Sequence, residues 1–208
     1  MVTTPIRAGH KRFIALGLIT IVLALSTGDR ATLSVAGTGI SRELGLSPVE
    51  LGWLFSSFAW AYVLGQVPAG WLVDRLGAKK SVLVGLVGWS VVTFLMSGVG
   101  WLSAPFLSLL LLRFLLGLLE SPVGPASGRV IAAWFPSGER GVAGAILNSA
   151  QYLSLMIFTP LMGWLDHMFG WKHIFSVMGV LGVIVATVWI FGYFAPPDHP
   201  SVTEAEIA

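Results

Sequence analysis

The sequence contains no cysteine, which excludes disulfides, thiolate chemistry and Cys-ligated metal. It is also poor in charge: Asp, Glu, Lys and Arg make up 11%, against about 25% in soluble domains. Histidine is sparse. His10, His167, His173 and His199 fall in loops or at the ends of apolar runs, with no metal-ligand spacing on a buried helix face. The net charge of +2 is too small to suggest a nucleic-acid partner. Period-2 alternation, the mark of a membrane strand, is missing as well.

What is present is apolar. Hydrophobic residues make up 55% of the chain, and the mean hydropathy is +0.84. A soluble chain of this composition could not cover its own surface with polar groups, so lipid is the expected solvent. A helix needs about 20 apolar residues to cross the hydrocarbon. Six segments meet that length: Phe13 to Gly39, Leu51 to Val73, Ser81 to Leu102, Phe106 to Ala126, Val142 to Leu165, and His173 to Phe194. They predict an all-α integral membrane protein. RAGHKR followed by an apolar run resembles a secretory signal peptide. Five further long runs argue against that reading, since cleavage would leave an odd number of spans.

Lys and Arg set the expected orientation. With the N-terminus inside, Arg7, Lys11, Arg12, Arg75, Lys79, Lys80, Arg129 and Arg140 are cytoplasmic. Arg42 and Lys172 are outside, and Arg30 and Arg113 lie within spans. That bias predicts both termini in the cytoplasm. Residues 1–12 then form a cytoplasmic N-terminus and 13–194 the bundle. Residues 195–208, APPDHPSVTEAEIA, read as the start of a cytoplasmic linker that stops abruptly.

PAGWLVDRLG, from Pro68, closes the second span, and PLMGWLDHMFG, from Pro160, closes the fifth. The shared Pro, Gly-Trp-Leu, Asp and Gly elements lie 92 or 93 positions apart. These spans cross in opposite directions, as expected of a three-span unit repeated with inverted topology. Chance similarity between two apolar helix ends is the competing explanation.

Ionisable groups at depth occur only in span 1 (Asp29, Arg30) and span 4 (Arg113, Glu120), equivalents in the proposed repeat. Helix rise puts Asp29 roughly 15 Å and Arg113 roughly 12 Å below the outer surface, with Glu120 about 10 Å deeper on the same face. Asp29 is then level with Arg113, and Arg30 reaches towards Glu120, as two pairs or one network. Four charges at the bilayer centre cost roughly 10–14 kcal/mol before pairing. Apolar residues could staple two helices without that cost, which favours a substrate or proton path. Arg attracts an anion and keeps its proton, whereas a buried carboxylate can gain one. An anion that occupies the Arg frees the carboxylate to take a proton, which couples the two events.

Tyr62 with Gln66, and Asn148 with Gln151, are one-turn polar pairs suited to hydroxyls, or to helix–helix hydrogen bonding, which is favoured for Gln66 and Asn148. Pro122 frees the carbonyl of residue 118 and predicts a kink beside Glu120. Trp53, Trp101, Trp134, Trp164 and Trp171 read as interface anchors.

The loop GWLVDRLGAKK, Gly70 to Lys80, resembles the Gly-x-Leu-x-Asp-Arg-x-Gly-Arg-Lys motif of the major facilitator superfamily, with Ala78 in place of the usual Arg. DRATLSVA, FSSFAWAYVLGQVPAGWL, RFLLGLLESPVGPA and WFPSGERG are similar to the anion:cation symporter family within it. The resemblance covers essentially the whole chain. It implies the N-terminal half of a twelve-span fold, a six-helix bundle of two inverted three-helix repeats. It further implies that Asp29 and Glu120 are proton sites, with Arg113 in the coupling network. Arg30, Tyr62 and Gln151 would contact the anion. Gly70, Asp74, Arg75, Gly77, Lys79 and Lys80 carry the loop motif. Asp74 and Arg75, with Arg129, Glu139 and Arg140, would form a cytoplasmic gate, although these loop charges equally serve as solvated topology determinants.

The expected function is proton-coupled transport of a small organic anion, a sugar acid or other carboxylate, by alternating access in a bacterial inner membrane. Anion exchange and a non-transporting assembly module are the alternatives. An intramembrane hydrolase fits poorly, because no Ser or Asp is paired with a buried His. No cofactor or metal is expected, with the proton as coupling ion. The expected partners are the bilayer and either a C-terminal six-span half or a second copy of the chain.

Overall fold

A computed structural model describes residues 10–196. Arg7, His199 and most of the expected linker lie outside the described residues. Six α-helices follow one another: α1 (Lys11–Leu44), α2 (Pro48–Met96), α3 (Pro105–Glu120), α4 (Val123–Trp134), α5 (Arg140–Phe169) and α6 (Trp171–Gly192).

Local chemistry sets the ends of these helices. Gly45, in the left-handed region at φ 67°, closes α1 with its N–H on the Ser41 carbonyl. Ser47 then opens α2 with a capping box: its Oγ accepts from the Glu50 N–H, Glu50 Oε2 accepts from the Ser47 N–H, and Pro48 follows. α1 is roughly 50 Å long, well beyond a hydrocarbon core of about 30 Å, so its last turn around Glu43 projects past the membrane.

α2 holds two spans. Its 49 residues would extend roughly 70 Å if straight. Gly77, at φ 79° and ψ 163°, breaks it in a conformation open essentially to glycine alone. Ser81 Oγ donates to the Leu72 carbonyl at 3.3 Å, although residues nine apart in a straight helix stand about 13 Å apart. The chain therefore turns back on itself, giving span 2 and span 3. The same turn recurs at Gly170, φ 84° and ψ 163°, between α5 and α6. Pro68 and Pro160 both lie inside the helices that lead into these turns. The repeat read from the sequence thus shares a backbone conformation as well as residue types.

Span 4 is α3 and α4 in series, interrupted at Ser121 and Pro122. The carbonyl of Leu118, freed by Pro122, accepts Ser121 Oγ at 2.7 Å. The helix is interrupted at the expected place, although Ser121 and Pro122 both keep helical backbone angles, and the carbonyl that Pro122 releases is satisfied.

Packing follows the inverted symmetry. Span 1 packs on span 5, span 4 packs on span 2, and span 3 packs on span 6. Glycines bring these pairs close. A Cβ at Gly117 would stand 2.5 Å from the Phe58 carbonyl oxygen, and one at Gly28 would stand 2.6 Å from the Phe158 ring. Gly179 and Gly182 lie in the same way against Phe94 and Ser90. Trp53, Trp101 and Trp164 are exposed, as expected of interface anchors, but Trp134 and Trp171 are buried. Trp171 serves instead as a hydrogen-bond donor to Glu43 at 2.7 Å, which ties the end of α1 to the start of α6.

Candidate functional site

The four ionisable residues at depth come together where span 1 crosses span 4. Asp29, Arg113 and Glu120 are buried, and Arg30 is partly open. Arg30 Nε meets Glu120 Oε2 at 2.9 Å, and Arg30 Nη2 donates to Ser26 Oγ at 3.2 Å. Ser26 Oγ in turn donates to the same Glu120 oxygen at 2.8 Å. One turn of α1 therefore presents both a cation and a hydroxyl to a carboxylate of the neighbouring span.

Asp29 takes another route. Its Oδ2 accepts from Thr93 Oγ1 of span 3 at 2.8 Å. Arg113 and Glu120 act on Asp29 through space, but Asp29 and Arg113 form no ion pair among the described residues. Of the two pairings expected from depth, Arg30 with Glu120 is present and Asp29 with Arg113 is not. Among the described residues, Arg113 Nε and Nη1 and Glu120 Oε1 have no hydrogen-bond partner. The cluster therefore retains a buried cation and a carboxylate oxygen with free hydrogen-bonding capacity.

Span 2 supplies an aromatic ledge under both guanidinium groups. Arg30 lies 4.4 Å from the Tyr62 ring centroid and 5.7 Å from that of Phe58, and Arg113 lies 4.9 Å from Phe58. Phe58 and Tyr62 stack at 5.8 Å. Such faces attract cations without neutralising them, so the positive charge stays available to an anion. The sequence singled out Tyr62 but not Phe58; the i, i+4 spacing of the two aromatics in FSSFAWAY is the signal that would have found it. Gln151 donates to Asn148 Oδ1 at 3.2 Å on α5 and makes no hydrogen bond to the cluster among the described residues.

The loop-motif residues divide into separate contacts. Asp74 pairs with Arg129 at 2.9 Å, joining the span 2 end to α4. Glu139 pairs with Arg12 at 2.8 Å. Arg140 caps α4 through the Phe135 and Ala132 carbonyls, each at 3.0 Å. Arg75 lies over Trp71 at 4.0 Å, and Lys79 lies over Phe194 at 3.8 Å. Trp189 Nε1 donates to the Lys79 carbonyl at 3.0 Å. Gly70 continues α2 into the motif, Gly77 makes the turn, and Lys80 is exposed at the start of span 3. The expected gate residues share one end of the bundle, held by two ion pairs rather than one network.

Comparison with known proteins matches this architecture. The family profile described as Major Facilitator Superfamily matches residues 12–208. A Bacillus subtilis protein named as the probable galactarate/D-glucarate transporter GudP is 47% identical over 97% of this chain and 45% of its own length. The probable galactarate/D-glucarate transporter GarP of Escherichia coli K12 is 48% identical over 95% of this chain and 45% of its own. An E. coli D-galactonate transporter is 34% identical over 97% of this chain and 46% of its own. The chain spans about half the length of these relatives. Among solved structures, a bacterial homologue of the human lysosomal transporter Spinster, inward-facing and unoccupied, aligns with a TM-score of 0.78. It covers 93% of this chain and 45% of that one, and at 22% identity the likeness concerns the fold.

Proposed function

The chain belongs to the Major Facilitator Superfamily, and on that premise we propose that it moves a sugar-acid anion across the membrane together with protons, by alternating access. The observation that carries this reading is the buried ion pair between Arg30 and Glu120, with Asp29 and Arg113 beside it. A structural staple at this depth would be met more cheaply by apolar residues. The relatives above are named as probable galactarate/D-glucarate transporters and a D-galactonate transporter, which supports a hydroxylated carboxylate as substrate.

In the proposed cycle, the substrate carboxylate enters over the Phe58–Tyr62 ledge and takes up donors of Arg30. Glu120 then loses its counter-ion and accepts a proton. Asp29 is the second proton site, with the charge of Arg113 acting on both carboxylates. The motif pair Asp74–Arg129 and its neighbours Arg75, Glu139 and Arg140 form the gate on the cytoplasmic side. The Lys and Arg distribution supports cytoplasmic termini, and the bacterial relatives support a bacterial inner membrane. A second six-span bundle, from further sequence or from a second copy, closes the cavity, consistent with relatives twice as long as this chain.

The test uses the full-length protein in liposomes with galactarate, D-glucarate and D-galactonate as probes. Uptake driven by an acid-outside gradient into vesicles free of internal anion supports the reading. A strict requirement for internal anion makes the protein an exchanger, and binding without movement makes it an assembly module. In a background with any cysteine beyond these 208 residues replaced, Ser103→Cys and Ser137→Cys label opposite sides. Impermeant reagent should reach the first and not the second in intact cells.

A further inference from the structure

Span 3 has no charged residue, yet it supplies the hydroxyl bonded to Asp29. We infer that Thr93 is a positioning residue for proton coupling, holding the Asp29 side chain in both of its protonation states. The inference rests on the reading of Asp29 as a proton site.

The first argument comes from where hydroxyls in these helices normally point. A Ser or Thr within a helix usually bonds a carbonyl of its own preceding turn. Ser90 does so with Leu86, one turn before Thr93, and Thr27, Ser127, Ser176 and Thr187 do the same. Among the described residues within the spans, only Ser26 and Thr93 donate to a carboxylate. Thr93 is 1% exposed, so water does not compete for its hydroxyl. Unlike Ser90, Thr93 spends its hydroxyl across a helix crossing, as Ser154 does on the Ala24 carbonyl, but its acceptor is a carboxylate.

Rigidity is the second argument. Span 3 is pressed against span 6 by Gly179 and Gly182, whose absent side chains let Phe94 and Ser90 approach within van der Waals range. Thr93 therefore stands on a fixed wall, while Asp29 sits in the helix that carries the proposed anion site. Thr32 Oγ1, which is also near, is taken up by the Asp29 backbone carbonyl at 2.6 Å. The charged groups acting on Asp29 are Arg30 from its own helix and Arg113 and Glu120 from span 4. None is hydrogen-bonded to it among the described residues.

The chemistry of a hydroxyl supplies the third argument. An Arg or Lys can only donate, so it can serve the acceptor oxygens of a carboxyl group but offers no acceptor for the O–H that protonation creates. A hydroxyl donates and accepts. It donates a hydrogen bond to the Asp29 carboxylate, and when Asp29 is protonated it can accept one from the acid and turn its own O–H to a backbone carbonyl. Asp29 then gains and loses a proton without leaving a buried polar group unpaired.

The test compares Thr93→Val, Thr93→Ser and wild type in the full-length protein in liposomes, normalised to inserted protein, with D-glucarate as probe. Two activities are read: net uptake driven by a proton gradient, and exchange of labelled for unlabelled anion at equal pH. Thr93→Val should lose proton-driven uptake on the order of ten-fold while exchange stays near wild type. Thr93→Ser should restore both. Equal loss of both activities in Thr93→Val, or unchanged proton-driven uptake, overturns the positioning role, as does failure of Ser to rescue. Should Val prevent insertion, Thr93→Ala is read in the same two assays. Wild-type uptake that ignores the proton gradient defeats instead the reading of Asp29 as a proton site, which separates the two failures.

Discussion

Arg30 Nε lies 2.9 Å from Glu120 Oε2, and the Glu120 side chain has no solvent exposure. One partner of the pair is thus sealed and the other is partly open, an asymmetry suited to a cation that an incoming anion can reach. Removing Arg30 alone leaves the buried Glu120 carboxylate without its ion-pair partner, with only the Ser26 hydroxyl still bonded to it. Arg30→Ala should cost about 3–5 kcal/mol, the range for breaking a buried pair, with the double variant Arg30→Gln/Glu120→Gln recovering much of it. Thermal unfolding in detergent reads the difference. A double variant no more stable than Arg30→Ala would show that the pair is not the source of the loss.

Gly77 and Gly170 hold the same strained turn at φ 79° and 84°. Ala at either position must adopt a conformation that costs on the order of 1–3 kcal/mol. Gly77→Ala and Gly170→Ala should lower the unfolding temperature by similar amounts. A change in one without the other would argue that the two turns are not structural equivalents.

Gly117 and Gly28 both sit at close crossings, but what they face differs. Gly117 meets the backbone carbonyl of Phe58, which cannot move without the helix, whereas Gly28 meets the Phe158 ring, which can rotate. Gly117→Ala should destabilise by roughly 1–3 kcal/mol, the range for overpacking, and Gly28→Ala by less. The two unfolding temperatures in detergent, measured side by side, rank them.

Glu43, beyond the membrane at the end of α1, has its carboxyl held below the usual range by hydrogen bonds from Lys172 and Trp171. A carboxylate with a depressed folded value stabilises the protein above its unfolded value, and that contribution fades as pH falls through the folded one. Wild type should therefore outlast Glu43→Gln at neutral pH, and the two should converge below the carboxylate range. The group is largely exposed, so the gap should also shrink in high salt. A gap that persists at acid pH would assign it to packing of Trp171 rather than to charge.

Much of the candidate site was legible because charge is so costly in lipid. Asp29, Arg30, Arg113 and Glu120 stood out by position alone, and Arg30 with Glu120 paired as helix rise predicted. The Asp29–Arg113 pairing did not follow, because estimating depth along two helices ignores the third. Thr93 belongs to span 3, and neutral hydroxyls carry no sequence signal that separates a carboxylate donor from one bonded to its own helix. Phe58 was hidden for a similar reason, since an aromatic in an apolar span reads first as packing.

The sequence by itself determined the solvent, the number of crossings, the short links between spans where Gly77 and Gly170 lie, and the helix break at Pro122. Each depends on local hydropathy or on the backbone freedom of one residue. Only the tertiary structure decided which donor reaches which acceptor: Ser26 and Arg30 on Glu120, Thr93 on Asp29, Trp171 on Glu43. Those bonds depend on how helices distant in sequence cross, and that is set by glycines and side-chain volumes acting together rather than by any segment alone.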